Sequence, residues 1–125
     1  MRKGIALMLL LLLVSVFAVA DIATSVDLAQ EIANTANEQI ESLIEVAVEK
    51  SEKFTVLYTE RGMSQNAYET LIDNLGNELA SKALRISQDA TARIEELGCK
   101  AICYYVPVKL GYKVFLIDPI LIIDD

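Results

Sequence analysis

From Ile22 to Tyr58 the chain has neither proline nor glycine, and its apolar and small residues recur at helical spacing. Ile22, Val26, Ala29, Ala33, Ala36, Ile40, Leu43 and Ala47 step by four and three, like a heptad seam. Ile32, Ile44 and Val48 widen that seam, and Asp27, Glu31, Glu38, Glu41, Glu45, Glu49 and Glu52 fall on the wetter side. The pattern predicts one long amphipathic helix over about 22–58. Phe54 to Thr59 is ambiguous, because its β-branched and aromatic residues could equally begin a strand.

Arg61-Gly62-Met63 reads as a turn, and Ser64 as an N-cap whose hydroxyl accepts from a backbone N–H of the next helix. A second stripe follows over 65–97: Tyr68, Ile72, Leu75, Leu79, Ala83, Ile86, Ala90, Ile94 and Leu97. Gly98 tolerates the positive φ that closes such a helix. Gly76 lies inside it at a cost of about 1 kcal/mol relative to alanine, and reads as a close helix–helix approach or a mild weak point. Two stripes of similar length joined by a short turn predict an antiparallel α-hairpin. Such a hairpin leaves apolar flanks uncovered and needs a third layer or another copy of itself.

The C-terminal residues 99–125 supply that layer. Cys99–Val108 and Tyr112–Ile117 are rich in Val, Ile, Tyr and Phe, and Lys109-Leu110-Gly111 separates them, so they read as a β-hairpin. Pro107 lacks an amide donor and belongs on an edge or at a bulge. Asp118-Pro119 breaks the run before a short final strand, Ile120, Leu121, Ile122 and Ile123. Alternation along an unbroken first strand puts Ile102, Tyr104, Val106 and Val108 on one face. Cys99, Ala101, Cys103 and Tyr105 fall on the other. Both faces are largely apolar, which a sheet with one face in water would not need. The fold class is therefore α+β: an N-terminal signal or anchor helix (1–20), a long α-hairpin (21–98) and a small antiparallel sheet (99–125).

The N-terminal segment has the parts of an export signal in order. Arg2 and Lys3 precede an almost wholly apolar run from Ile5 to Val19, and Ala18 and Ala20 place small residues before a cut at Asp21. Gly4 to Ala20 reaches roughly 25 Å as a helix, just short of a hydrocarbon core of about 30 Å. That length favours a cleaved signal over a retained membrane anchor. Net charge is −7 over the full chain, and loss of Arg2 and Lys3 takes the body to −9. An acidic body lacks the basic footprint that neutralises nucleic-acid phosphates, and anionic lipid surfaces repel it.

Catalytic signals are sparse. Histidine is absent, which removes Ser-His-Asp and Cys-His nucleophile arrangements. Most carboxylates sit at helical spacing on solvated faces. Asp118 interrupts an apolar stretch, either as a turn acceptor before Pro119 or, with Tyr104, Tyr105 and Tyr112, as a ligand-binding or enzymatic group. Cys99 and Cys103 form a lone C-x3-C. On a regular strand they would stand about 13 Å apart, whereas a disulfide tolerates about 7 Å between Cα atoms. A local bridge needs the chain to curl there. Otherwise the thiols are buried or pair with another chain. They do not make a metal site, and no cofactor is implied.

These features describe an exported or membrane-anchored, non-enzymatic protein that works by contact with a protein partner or with copies of itself. The tail strand Ile120–Ile123 is a candidate for edge addition. A second reading rests on Arg2-Lys3-Gly4 followed directly by the apolar run, which resembles a type IV prepilin. The resemblance covers about the first forty residues and implies a cut after Gly4 and packing of the apolar helices in a filament core. Leu9 stands where bacterial pilins usually carry a glutamate. Mass spectrometry of the exported protein separates these readings: a mature chain beginning at Asp21 is expected, and one beginning at Ile5 identifies a pilin-like subunit.

Overall fold

The computed structural model describes the backbone of residues 2–124 and the side chains of residues 24–120. The side chains of the apolar N-terminal run, of the cleavage residues Ala18 and Ala20, and of Leu121, Ile122 and Ile123 lie outside the described residues. Two helices, α1 (Arg2–Glu60) and α2 (Gln65–Glu96), are followed by β1 (Lys100–Cys103), β2 (Val106–Leu110), β3 (Lys113–Ile117) and β4 (Ile120–Asp124). Within residues 24–120, no helix is long and apolar enough to cross a membrane.

The helices form the expected hairpin. Ala29, Ala33, Ala36, Ile40 and Ala47 of α1 are buried, as are Ile72, Leu79, Ala83, Ala90 and Ile94 of α2. The Phe54–Thr59 ambiguity resolves as helix. Phe54 and Tyr58 pack on the core, and Thr55 shares a 2.9 Å hydrogen bond with the Tyr68 hydroxyl. Tertiary packing thus overrides the local β preference. At the tip, Gly62 takes φ 76°, and the Ser64 hydroxyl caps α2 by accepting from the Ala67 amide at 3.1 Å. At the far end Gly98 has φ 81°. Its amide donates to the Glu95 carbonyl at 2.9 Å and that of Cys99 to Ile94 at 3.2 Å, a Schellman closure.

The β segment departs from the sequence reading in detail. The single strand expected over Cys99–Val108 is two strands separated by Tyr104-Tyr105, with β1 paired to β4 and β2 to β3, both antiparallel. The two ladders keep one register. Continuing two residues past Val106↔Ile117 brings Tyr105 and Tyr104 opposite Asp118 and Pro119, and the next step is the observed Cys103↔Ile120 pair. Pro119 has no N–H to give, so pairing lapses there and resumes beyond it. The turn is Gly111-Tyr112 rather than Lys109–Gly111. Gly111 alone takes positive φ (59°), as a II′ hairpin turn requires at its first central position.

The unpaired step also turns the ribbon over. β2 lies on α1 and β3 on α2, whereas β1 lies on α2 and β4 on α1, so the strands exchange helices across the break. Facing changes with it. Val108, Leu110, Phe115, Ile117 and Ile120 are buried, while Cys103 packs inward and Ile102 points out. The unbroken alternation that put Ile102 with Val106 and Val108 is therefore wrong. Two cores result: one at the tip around Ile72, Leu110 and Phe115, and one at the open end around Ala33, Ile94 and Ile120.

Gly76 marks a close approach, but to the ribbon rather than to α1. A Cβ built there collides with the Phe115 ring. Gly76→Ala should therefore destabilise the fold by about 2 kcal/mol, despite the better helix propensity of alanine. Urea denaturation measures this, and a stabilised variant would show that Phe115 has room to move.

Candidate interaction surface

A ribbon that buries one face presents the other. Strand alternation sends Val114 and Leu116 outward from β3, and Pro107 and Lys109 outward from β2. Val114 is 56% exposed, Leu116 60%, Tyr105 62% and Ile102 50%, so each keeps at least half of its surface in water. With Tyr104 these residues contribute roughly 500 Å² of apolar surface, in the range of the largest apolar patch on an ordinary domain. From Gly98 to Ile117 the chain carries Lys100, Lys109 and Lys113 and no acid, in contrast to the acidic hairpin beneath.

The ribbon tip is clamped to the hairpin by aromatic and charged contacts. The Tyr58 and Tyr68 rings stack at 4.5 Å, and Tyr112 tilts against Tyr68 at 5.9 Å. The Tyr112 hydroxyl donates to Asp73 Oδ1 at 2.7 Å. Lys113 approaches the same carboxylate at 3.5 Å and lies 5.2 Å from the Phe115 ring centroid. The hydrogen bond to Asp73 holds Tyr112 in its neutral form and pushes its pKa up to about 12.

The three tyrosines grouped in the sequence therefore do not form one site. Tyr112 belongs to the tip, while Tyr104 and Tyr105 stand exposed at the ribbon break. Asp118 is half-buried across from Tyr105 in the shared register, and burial raises its pKa. The cysteines face different helices. Cys99 Sγ lies 3.9 Å from the Ser25 carbonyl of α1. Cys103 Sγ lies 3.4 Å from the Ser87 hydroxyl and 3.6 Å from that of Thr91, both on α2. Both thiols are free. The tail strand is engaged within its own sheet: β4 pairs with β1, and Ile120 is buried.

A cleft of about 560 Å³ is lined by residues of the two helices and Leu97, with none from the ribbon. Leu28, Ile32 and Ile86 line it, together with the charged residues Glu31, Asp89 and Arg93. The uncovered outer flank expected of a two-helix hairpin survives here. The outer ribbon face was signalled in the sequence by the apolar residues on both sides of each strand. That pattern implies cover on both faces, whereas the fold covers one. No known family model, curated protein or solved structure matches this chain.

The clamp has a pH signature. Because folding raises the Tyr112 pKa, its contribution is full below the ordinary value of 10.0 and is lost as pH rises towards about 12. Asp73→Asn should return Tyr112 towards its ordinary value. Ultraviolet titration of tyrosinate checks this, and an unchanged titration would mean that Asp73 does not hold the phenol.

Proposed function

We propose that this chain is a small non-enzymatic protein that acts by protein–protein contact, with its body held outside the cytoplasm. The observation that carries the reading is the outward ribbon face, where Ile102, Tyr105, Val114 and Leu116 form an exposed apolar strip. Water-facing strands ordinarily alternate apolar with polar residues. Here the outward positions are apolar too, apart from Lys109, which favours a face that is covered during function. The tip clamp and the Gly76–Phe115 seat support the same reading, because a rigid ribbon presents its outer side chains without further ordering cost. Export follows from the N-terminal pattern of Arg2, Lys3, the apolar run and Ala18-Val19-Ala20.

A photo-crosslinking residue at Leu116, compared with one at Glu41 on the solvated side of α1, tests the proposal in the native host. A discrete adduct from Leu116 and none from Glu41 is expected. Exported, folded protein with no adduct from either Leu116 or Ile102 would contradict it.

A further inference from the structure

We infer that β1 is a redox latch: a disulfide between Cys99 and Cys103 forms only when β1 leaves β4, so oxidation releases the tail strand while the tip of the fold stays closed. The inference rests on the export reading above for its oxidant, and it names a regulation of the proposed contact face.

The fold holds the two thiols apart. Cys99, Ala101 and Cys103 alternate inward and pack on the open-end core. Four residue steps of about 3.3 Å separate the cysteines by about 13 Å, and a disulfide tolerates about 7 Å between Cα atoms. Each thiol also touches a different helix. Cys99 Sγ reaches the Ser25 carbonyl of α1, and Cys103 Sγ reaches the Ser87 and Thr91 hydroxyls of α2. Both are half-buried and free. The ladder that β1 makes with β4 therefore belongs to the reduced chain, and the bridge and the ladder exclude one another.

β1 is also the segment that yields with least loss. Gly98 closes α2 just before Cys99, and Tyr104-Tyr105, just after Cys103, is unpaired. The stretch between them can curl without straining a neighbouring ladder. β1 pairs with β4 at three positions, Lys100↔Asp124, Ile102↔Leu121 and Cys103↔Ile120, with an irregularity between the first two. β2 and β3 pair at five positions without a break. Among the described residues β4 has no other strand neighbour, so once β1 curls it keeps only its packing on the helices. The tip core of Ile72, Leu110 and Phe115 contains no residue of either strand, and the opening stops at the ribbon break. Ile102, at one end of the exposed strip, moves with β1, whereas Val114 and Leu116 stay in place.

The exchange needs a disulfide oxidant, of the kind that oxidising compartments outside the cytoplasm maintain. One cysteine thiolate attacks a small-molecule disulfide and expels one thiolate. The second cysteine thiolate then attacks the mixed disulfide and expels the other. Two cysteine thiols lose two electrons and two protons, and one external disulfide becomes two thiols.

Incubating the purified protein with glutathione and its disulfide over a series of ratios, with mass spectrometry and amide hydrogen exchange on each sample, tests this. A monomeric species lighter by two hydrogens is expected. In it the Lys100–Cys103 and Ile120–Asp124 amides exchange at least about tenfold faster, while those of Val106–Leu110 and Lys113–Ile117 are unchanged. Reduction should restore the protection, and the Cys99→Ser/Cys103→Ser double variant should show none of this response. The unsubstituted protein, oxidised and then reduced, reads the latch even if the variant fails to fold. A bridged monomer with β1 and β4 still protected overturns the inference, as does one that loses protection in β2 and β3 as well. A protein that stays reduced, stops at mixed disulfides or links to a second chain overturns it too. None of these results needs a partner protein, so the Leu116 crosslink stays the separate test of the contact reading.

Discussion

Phe115 lies across Gly76, and around that contact the ribbon comes close enough to α2 to share a core with it. Two helices alone bury one line of side chains and leave the flanks wet. The ribbon supplies the second layer, and its distance from the helices is set by the smallest residues in their stripes. Gly76 and Ser87 are buried on α2 beneath Phe115 and Cys103. Alanines at Ala29, Ala33 and Ala36 do the same on α1. Larger residues at these positions would lift the ribbon, and with it the tip clamp of Tyr58, Tyr68 and Tyr112.

The lapse in pairing at Tyr104-Tyr105 and Asp118-Pro119 is the second determinant. A flat two-stranded ribbon in one register would send Cys103 and Val106 to opposite sides. By turning over at the unpaired step, the ribbon packs both halves inward and divides the interior into two cores. The same turn leaves Tyr104 and Tyr105 exposed and places Asp118 in a half-buried position.

The helices were legible because their signal is long and redundant: two stripes, a serine cap and a closing glycine. Ser64, Gly98 and the edge position of Pro107 followed from local backbone chemistry, which depends little on the rest of the fold. The facing of β1 was not legible. Alternation assumes an unbroken strand, and the break depends on Pro119, a partner distant in sequence. Gly76 could be read as a close approach, but its neighbour could not, because Phe115 reaches it only through the hairpin register. The candidate surface was half visible. Apolar residues on both strand faces were evident, while which face the helices would cover depended on the ribbon's path.

The account stands on which face of the ribbon meets α2, and nuclear Overhauser contacts measure that directly. Contacts from the Phe115 ring to the Gly76 α-protons, with none from Val114 or Leu116 to α2, are the predicted result. Contacts from Val114 or Leu116 to α2, with Phe115 free of it, would mean that the ribbon is seated on its other face and would contradict both the core and the open surface.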